Sequence, residues 1–352
     1  MEQSSLAFLK ALVEAPSPSG FEQPAQRVWR ERVAAYAHRV ATDTHGNAIG
    51  VLNEAGRPRV LLAGHVDELG FIVKYISDDG YVYFKNIGGF DMNIVPGRRV
   101  SIQTKNGPVP GVIGKKPIHL MTDDERKKKT EVHELWIDIG AKDKKEAQSL
   151  VEVGDCATFT VGFEPLRGDL VASRAFDDKA GSFAVAETLR LLAGAPLRAA
   201  VFGVSTVQEE IGLRGGRTSA FGIDPQVGIA IDMAFATDHP DIDKKKVGDV
   251  KVGGGPVITR GANINPVVAR LLIETAEAEK IPYQIEGDPG GTGTDANPIQ
   301  LTRAGVAAGL VGPPTRYMHT PVEVLSLVDL ENVSKLLAAF IRRLDDTIDF
   351  TP

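Results

Sequence analysis

Apolar and polar positions follow an α/β pattern over the first 69 residues and again from about residue 165 to the end. Two apolar runs, 59–64 and 199–204, are continuous and mostly aliphatic, which is typical of strands buried on both faces of a sheet. Apolar residues at helical spacing predict helices over 178–193, 265–280 and 329–345. Helix and strand patterns that alternate in this way predict an α/β fold.

The stretch between these two parts has a different pattern. Short alternating segments, such as 72–76, 80–84 and 99–104, are separated by glycine and proline turns. Regularly spaced short strands of this kind predict a small β-barrel-like module. We therefore predict an α/β domain split into residues 1–69 and 165–352, with a β-rich module inserted at residues 70–164.

Two segments of the insert have patterns of their own. Residues 142–150 are predicted to form a helix. The charge-dense segment 123–130 is predicted to be a mobile loop without a chemical role.

Composition excludes several classes of function. The chain has 352 residues, of which 43% are hydrophobic and 24% charged, as in ordinary globular proteins. A net charge of −6, with no long basic run apart from 126–129, disfavours a nucleic-acid partner. The start lacks the pattern of a signal peptide, and no apolar run approaches the roughly 18 residues of a membrane span. With a single cysteine, Cys156, the chain is expected to be cytoplasmic and soluble.

Acidic residues and histidines follow the ends of the predicted strands. Glu209 and Glu210 follow the run 199–204, while His65 and Asp67 follow the run 59–64. Strand ends of this kind form the rim at which α/β proteins bind ligands. Further candidates of the same chemistry are Asp177, Asp232 and His319. Histidine and carboxylate ligands without cysteine suit zinc, cobalt or manganese in a reactive site rather than a structural zinc cage.

Taken singly, each candidate has a simpler interpretation. An isolated Glu-Glu pair is more often the solvated start of a loop, and a lone histidine is more often a core or surface residue. Asp177 and Asp178 precede a predicted helix and are natural N-caps. The glycine-rich segments 252–256 and 289–295 lack the features of phosphate loops and fit the walls of a substrate pocket better. It is the joint occurrence of the candidates that favours a metal site.

Four motifs then carry a family resemblance: GHVDELG at 64–70, FDDKAG at 176–181, VQEEIG at 207–212 and RYMHTP at 316–321. Together with segments 15–22, 111–120 and 290–296, they resemble the TET-type dinuclear metalloaminopeptidases over nearly the whole chain and in the same order. That family includes glutamyl and deblocking aminopeptidases, and some members have been labelled endoglucanase or cellulase M. The resemblance implies a zinc-exopeptidase-like mixed sheet flanked by helices, with the β-module inserted.

The resemblance also implies a role for each candidate. Asp177 would bridge two divalent ions, zinc or cobalt with manganese as a third candidate. His65 and Asp232 would complete one metal site, and Glu210 and His319 the other. The ions would share a bridging water that the general base, Glu209, activates. The substrate's free α-amine would bind near the second ion, which restricts cleavage to the N-terminal residue.

Asp67 and a glycine-rich segment would support this centre. Asp67 would be hydrogen-bonded to His65, and this assignment has a physical reason of its own: a ligating imidazole needs an acceptor for its other N–H, and a carboxylate two residues away can reach it. Gly291, Thr292 and Asp295 would contribute to the substrate pocket.

Three functions remain open at this point. The first is an aminopeptidase acting on short peptides, and the second is another metal-dependent exopeptidase, a deacylase or a glycanase. The third is a catalytically silent binding protein, which we would expect to have lost Glu209 or a ligand. By resemblance, the inserted module would form dimers that assemble into a tetrahedral dodecamer. For His119 in the insert, a structural role is favoured over a role near a neighbouring subunit's site.

Overall fold

The computed structural model describes all residues, 1–352, and contains ten α-helices, nineteen β-strands and three single-turn 3-10 helices. The helices are α1 (Gln3–Glu14), α2 (Gln23–Val33), α3 (Asp123–Lys127), α4 (Lys144–Leu150), α5 (Phe176–Leu192), α6 (Arg214–Ile223), α7 (Lys244–Val247), α8 (Pro266–Ala278), α9 (Ala296–Gln300) and α10 (Leu327–Arg343). The strands are β1 (Arg39–Thr42), β2 (Ala48–Leu52), β3 (Arg59–His65), β4 (Gly70–Ile76), β5 (Val82–Ile87), β6 (Arg99–Thr104), β7 (Gly107–Gly114), β8 (Trp136–Asp138), β9 (Cys156–Phe159), β10 (Glu164–Pro165), β11 (Leu170–Ser173), β12 (Ala200–Thr206), β13 (Val227–Ile231), β14 (Ala234–Phe235), β15 (Val257–Gly261), β16 (Gln284–Asp288), β17 (Ala307–Gly312), β18 (Pro314–Arg316) and β19 (Glu323–Ser326).

A mixed sheet of eight strands forms the centre of the molecule. Its order is β1-β2-β12-β3-β13-β17-β15-β16, and the four central strands β12, β3, β13 and β17 are parallel. β2 and β15 pair antiparallel with the outer members of this group. The apolar runs that predicted buried strands are the buried strands β3 and β12. The α/β fold with a mixed sheet is therefore confirmed.

Helices cover both faces of this sheet. On one face, a cluster of 42 buried apolar residues joins the sheet to α1, α2, α5, α8 and α10. On the other face, a smaller cluster of nine residues includes Ala220 and Ile223 of α6 and Ile299 of α9. The large side chains Trp29, Phe183 and Phe340 are fully buried in the first cluster. At roughly 25 cal/mol per Å² of apolar surface, each contributes on the order of several kcal/mol to the burial of this face.

The predicted barrel is present as a closed barrel of six antiparallel strands in the order β4-β5-β8-β7-β6-β9. It extends from Gly70 to Phe159 and has its own core of 15 buried apolar residues. Phe71 lies in this core and makes edge contacts with the rings of Phe84, Phe90 and Phe159. A separate sheet of five strands, β10-β11-β19-β18-β14, lies beyond the barrel in sequence.

Several local predictions need comment. The predicted mobile loop at 123–130 was wrong in part: residues Asp123–Lys127 form α3, because Thr122 and Glu125 cap its first turn reciprocally. The predicted helix at 178–193 begins earlier, at Phe176, but its backbone is not helical at Asp177 and Asp178. The predicted helix at 142–150 is α4.

None of the helices combines the length and apolar character that crossing a membrane requires.

Candidate active site

The candidate residues meet at the carboxyl ends of the central parallel strands. In the pairing of β12 with β3, Thr206 lies opposite His65, which brings the segment after β12 next to the histidine. Asp232 follows β13, the next strand along the sheet. Because parallel strands end at the same edge of a sheet, three separate parts of the sequence supply side chains to one place.

Asp177 lies between the two histidines, with one oxygen toward each. Its Oδ1 is 3.3 Å from His65 Nε2, and its Oδ2 is 3.2 Å from His319 Nε2. Asp177 is placed by the first residues of α5, whereas His319 lies in the loop between β18 and β19. The two imidazoles therefore reach the carboxylate from different structural elements.

Each imidazole is oriented through its other nitrogen. His65 Nδ1 donates to the backbone carbonyl of Asp67 at 3.0 Å, and His319 Nδ1 donates to the carbonyl of Gly89 at 2.8 Å. A carbonyl oxygen only accepts, so the neutral ring carries its hydrogen on Nδ1 and leaves an acceptor lone pair on Nε2. Both Nε2 atoms face Asp177, and each ring is held through Nδ1 by a carbonyl, as is usual for metal-ligating histidines. Gly89 follows β5, so the inserted barrel helps to orient His319.

Glu209 and Glu210 both reach the same centre. Glu209 Oε2 is 3.8 Å from His65 Nε2, and Glu210 Oε2 is 3.6 Å from His319 Nε2. The second carboxylate oxygen of each residue, Oε1, is buried and has no hydrogen-bond partner. The alternative in which the pair points into solvent is therefore wrong, since Glu209 is only 6% exposed.

The crowding of acidic groups changes their protonation. Burial raises the pKa of Glu209, Glu210 and Asp232 above the ordinary range for carboxyls, and the charge of Asp177 raises the last two further. Burial acts in the same direction on Asp177. Without a metal ion, however, the rings of His319 and His65 are also protonated on Nε2, and their hydrogen bonds and charge outweigh burial and lower the pKa of that carboxyl. Without a cation, the ionised forms of these carboxyl groups would carry more negative charge than the two histidines can neutralise.

The donors fit divalent metal ions. Ligand atoms of His65, Asp177 and Glu210 lie within 4.8 Å of one another, as do those of His65, Asp178 and Asp232. Imidazole nitrogens with free lone pairs, buried carboxylates and unpartnered carboxylate oxygens are what zinc, cobalt or manganese would bind.

Comparison with known proteins agrees with this chemistry. The family model of the M42 glutamyl aminopeptidases matches residues 46–336. The chain belongs to the M42 family. It is therefore a metal-dependent aminopeptidase, which confirms the enzyme class of the first function left open by the sequence.

Individual relatives of this M42 chain match over nearly their whole length. The lysyl aminopeptidase of Pyrococcus furiosus is 35% identical over 98% of this chain and 99% of its own. The structure of a TET aminopeptidase from a marine-sediment Thaumarchaeota archaeon has a TM-score of 0.93 and 37% identity, covering 98% of this chain and 97% of its own. For the TET1 peptidase of Pyrococcus horikoshii the TM-score is 0.86 and the identity 35%, over 97% of this chain and 100% of its own. The resemblance to the TET-type family is thus confirmed.

The name endoglucanase also occurs among similar structures. A Thermotoga maritima protein with that name has a TM-score of 0.76 and 28% identity, covering 95% of this chain and 96% of its own. The glycanase alternative has no more support than this naming.

In this M42 chain, the Asp67 carboxylate is not primarily directed at His65. Its nearest oxygen is 3.5 Å from His65 Nδ1, farther than the Asp67 backbone carbonyl that accepts the ring N–H. The carboxylate instead accepts hydrogen bonds from the backbone N–H groups of Glu209 at 3.0 Å and Glu210 at 3.2 Å, and from the Ser19 hydroxyl at 2.7 Å. Asp67 therefore fixes the turn that carries both glutamates.

Two buried carboxylates at the M42 centre were missed as site residues. Asp178 accepts the backbone N–H of His65 with one oxygen and that of Gly181 with the other, both at 3.0 Å. Its bond to Gly181 is the helix cap that the sequence allowed, whereas its bond to His65 spans 113 residues and has no local signal. Glu323 contacts the backbone of Asp177 and His319. The only feature of the sequence that could have drawn attention to Glu323 is that it lies four residues after His319.

A buried ion cluster lies beside the M42 site. Glu68 pairs with Arg174 and, at 2.7 Å, with Lys179 Nζ, and all three side chains are at most 7% exposed. Lys179 Nζ also donates to the carbonyl of Ala15 at 2.6 Å. Burial lowers the pKa of Lys179 to about 8. The cluster ties the loop after α1 to the start of α5.

The residues predicted for the substrate pocket differ in their surroundings. Asp295 is 3% exposed and accepts the Thr206 hydroxyl at 2.6 Å, while its other oxygen is buried without a partner. Thr292 is buried and accepts a hydrogen bond from Asn263 at 3.0 Å. Gly291 is exposed. Burial raises the pKa of Asp295 to about 6.

His119 was predicted to have a structural role in the insert. It lies exposed in the 3-10 turn Ile118–Leu120 and makes no side-chain hydrogen bond. The structural role favoured from the sequence is not supported by these contacts.

Proposed function

We propose that this M42 aminopeptidase uses two divalent metal ions to remove the N-terminal residue from short peptides. The proposal is carried by the position of Asp177, whose two carboxylate oxygens face two different histidines at 3.3 and 3.2 Å. A carboxylate that divides its oxygens in this way is suited to bridge two cations.

We assign the ligands by the family resemblance and by the two histidines, each of which faces its own oxygen of Asp177. His65 and Asp232 would hold one ion with it, and Glu210 and His319 the other. Zinc or cobalt fits this donor set, with manganese as the third candidate. When bound, such ions polarise a carbonyl group and lower the pKa of water.

Glu209 would be the general base. It lies next to the ligand Glu210, yet its Oε1 is unpartnered and its Oε2 is no closer than 3.8 Å to His65. Its carboxylate would take a proton from the attacking water and deliver it to the departing amine nitrogen as the C–N bond breaks. Asp67 supports this role, because it holds the Glu209 backbone in place.

The acidic character of the centre suits a substrate with a free α-amine. The free α-amine would bind near Glu210 and His319, and this would restrict cleavage to the first residue of a peptide. Asp295, Thr292 and Gly291 would form part of the adjoining pocket, and the buried, unpartnered oxygen of Asp295 would be a further acceptor there.

The inserted module would be the site of self-association. The TET1 peptidase of Pyrococcus horikoshii can assemble into a tetrahedron or a large octahedral shell. By this likeness, residues 70–164 of our chain would form dimers that build a tetrahedral dodecamer. Ile118 and Leu120 of the module are 61% and 69% exposed and would gain from such contacts. The single, buried Cys156 supports a cytoplasmic location.

An assay with matched substrates tests the central proposal. Metal-loaded protein should release chromophore from aminoacyl-p-nitroanilides but not from their N-acetylated equivalents or from cellulose. Activity on the blocked substrate alone would overturn the aminopeptidase assignment. Metal analysis should give two ions per chain, and light scattering should give the mass of a dodecamer.

A further inference from the structure

Glu323 links two candidate metal ligands that are far apart in the sequence. It is the first residue of β19 and is 3% exposed. Its Oε2 accepts the backbone N–H of Asp177 at 2.9 Å, and its Oε1 accepts the backbone N–H of His319 at 3.3 Å. A single side chain thus fixes the main chain of both residues.

Sheet pairing determines where Glu323 lies. In the antiparallel register of β11 with β19, Glu323 is opposite Ser173, four residues before Asp177. On its other side β19 pairs with β18, which ends at Arg316, shortly before His319. The carboxylate therefore lies where the chain leaves β11 toward α5 and where it returns from β18.

Both segments need such an anchor because each contains a residue in an unfavourable backbone conformation. Ala175, two residues before Asp177, has φ of +58°, and His319 has φ of +60°. Residues with a Cβ rarely adopt this left-handed conformation, and they keep it only where the surroundings hold it. The hydrogen bonds to Glu323 link the main chains of these two segments.

The other histidine is anchored separately. The backbone N–H of His65 is bound by Asp178, and its segment makes no hydrogen bond with Glu323. The main-chain positions of His65 and His319 are therefore set by different carboxylates.

We infer that Glu323 is a positioning residue that sets the spacing of Asp177 Oδ2 and His319 Nε2, now 3.2 Å, and thereby the affinity of the metal site formed by Asp177, Glu210 and His319. The inference rests on the proposed dinuclear function. It extends that function to a residue that touches neither ion nor substrate. Asp177 serves both ions, whereas His319 serves only one, so loss of one anchor should weaken this metal site more than the site of His65 and Asp232.

The variant Glu323→Gln tests the positioning role of Glu323 and changes the shape of the side chain very little. A glutamine side chain has one carbonyl acceptor, and its NH₂ group would face a backbone N–H, so one of the two hydrogen bonds is lost. Metal-free, full-length protein would be titrated with Co²⁺ by calorimetry and by its visible absorption. For the variant, one of the two binding steps should weaken by about 10- to 100-fold, the usual effect of removing a partner of a metal ligand. The other step should weaken to a clearly smaller degree.

Asp329→Asn is the matched control. Asp329 is also buried and also accepts two backbone N–H groups, from Gly253 at 2.6 Å and Gly255 at 2.8 Å, but neither glycine is next to a candidate metal ligand. Both Co²⁺ binding steps should be unchanged in this variant. If Glu323→Gln does not fold, Glu323→Asp, which keeps both acceptors but draws them back, should show the same selective weakening to a smaller degree.

The outcomes separate this inference from the proposed function. Equal weakening of both steps, or no weakening, in the Glu323 variants would overturn the inference even if the wild type binds two ions and cleaves peptides. A wild-type protein that binds one Co²⁺ would overturn the dinuclear function itself.

Discussion

The Asp67 carboxylate accepts the backbone N–H of Glu209, with 3.0 Å between Oδ1 and the nitrogen. The other oxygen, Oδ2, accepts the N–H of Glu210 at 3.2 Å. A residue two positions beyond one candidate ligand therefore fixes the turn that carries the proposed base. His65 does not depend on this carboxylate for its orientation, because the Asp67 carbonyl accepts its ring N–H.

Asp67→Asn should impair catalysis more than metal binding. The asparagine amide would place a donor against a backbone N–H, so the turn of Glu209 and Glu210 would lose one of its anchors. We expect kcat to fall about 10- to 100-fold, with two ions retained per chain. Steady-state kinetics and metal analysis measure the two effects. Ser19→Ala removes only the hydroxyl that donates to Asp67 and should have a smaller effect. Loss of one ion from Asp67→Asn would show that Asp67 acts mainly on a metal ligand, His65 or Glu210, and not on Glu209.

Glu209→Gln should nearly abolish turnover while both ions remain bound. The amide cannot accept the proton of the attacking water, and removal of a general base typically costs about 10²- to 10⁴-fold in rate. The measurement is kcat on an aminoacyl-p-nitroanilide together with metal content. Glu210→Gln is the comparison, since it should lose metal as well as activity. Metal loss in Glu209→Gln would make Glu209 a ligand instead.

The outline of this site could be predicted from the sequence because its residues follow buried strands. The aliphatic runs before His65 and Glu209 identify β3 and β12, and polar residues at such strand ends are a local signal. The contacts that hold these residues have no local signal. Asp67 reaches Glu209 across 142 residues, and Glu323 reaches Asp177 across 146. Their partners are backbone N–H groups, which every residue except proline has, so only the tertiary fold selects them.

Gly64→Ala should destabilise the protein, because β3 and α5 touch at this glycine. A Cβ at residue 64 would lie 2.5 Å from the carbonyl carbon of Gly181 and 2.6 Å from the nitrogen of Ser182. The helix would have to move away from the strand, and Asp177 would move with it. We expect a loss of about 1–3 kcal/mol in the free energy of unfolding.

Chemical denaturation of metal-loaded protein measures this loss. Gly287→Ala is the matched control, since Gly287 also lies in a strand but has open space where its Cβ would be. That variant should stay within about 1 kcal/mol of the wild type. Equal stability of Gly64→Ala and the wild type would contradict the close approach of strand and helix.

Glu22 should make the stability of the protein depend on pH. Burial, together with the nearby charge of Asp67, raises the pKa of this carboxyl from 4.5 to about 7. The folded state therefore binds the proton more tightly than the unfolded state does. The resulting stabilisation is fully present below pH 4.5 and is lost as the pH rises through about 7.

Glu22→Gln isolates this effect. Both backbone donors, Gly20 N–H at 2.6 Å and Gln208 N–H at 3.2 Å, bind the same oxygen, Oε1, so glutamine can keep both bonds without ionising. Between pH 5 and pH 8 the wild type should lose about 2 kcal/mol of unfolding free energy relative to Glu22→Gln. Urea denaturation at saturating metal measures the difference, and Glu31→Gln, on the exposed face of α2, should follow the wild type. A constant difference between wild type and Glu22→Gln across this range would mean that Glu22 ionises equally well in the folded and unfolded chain.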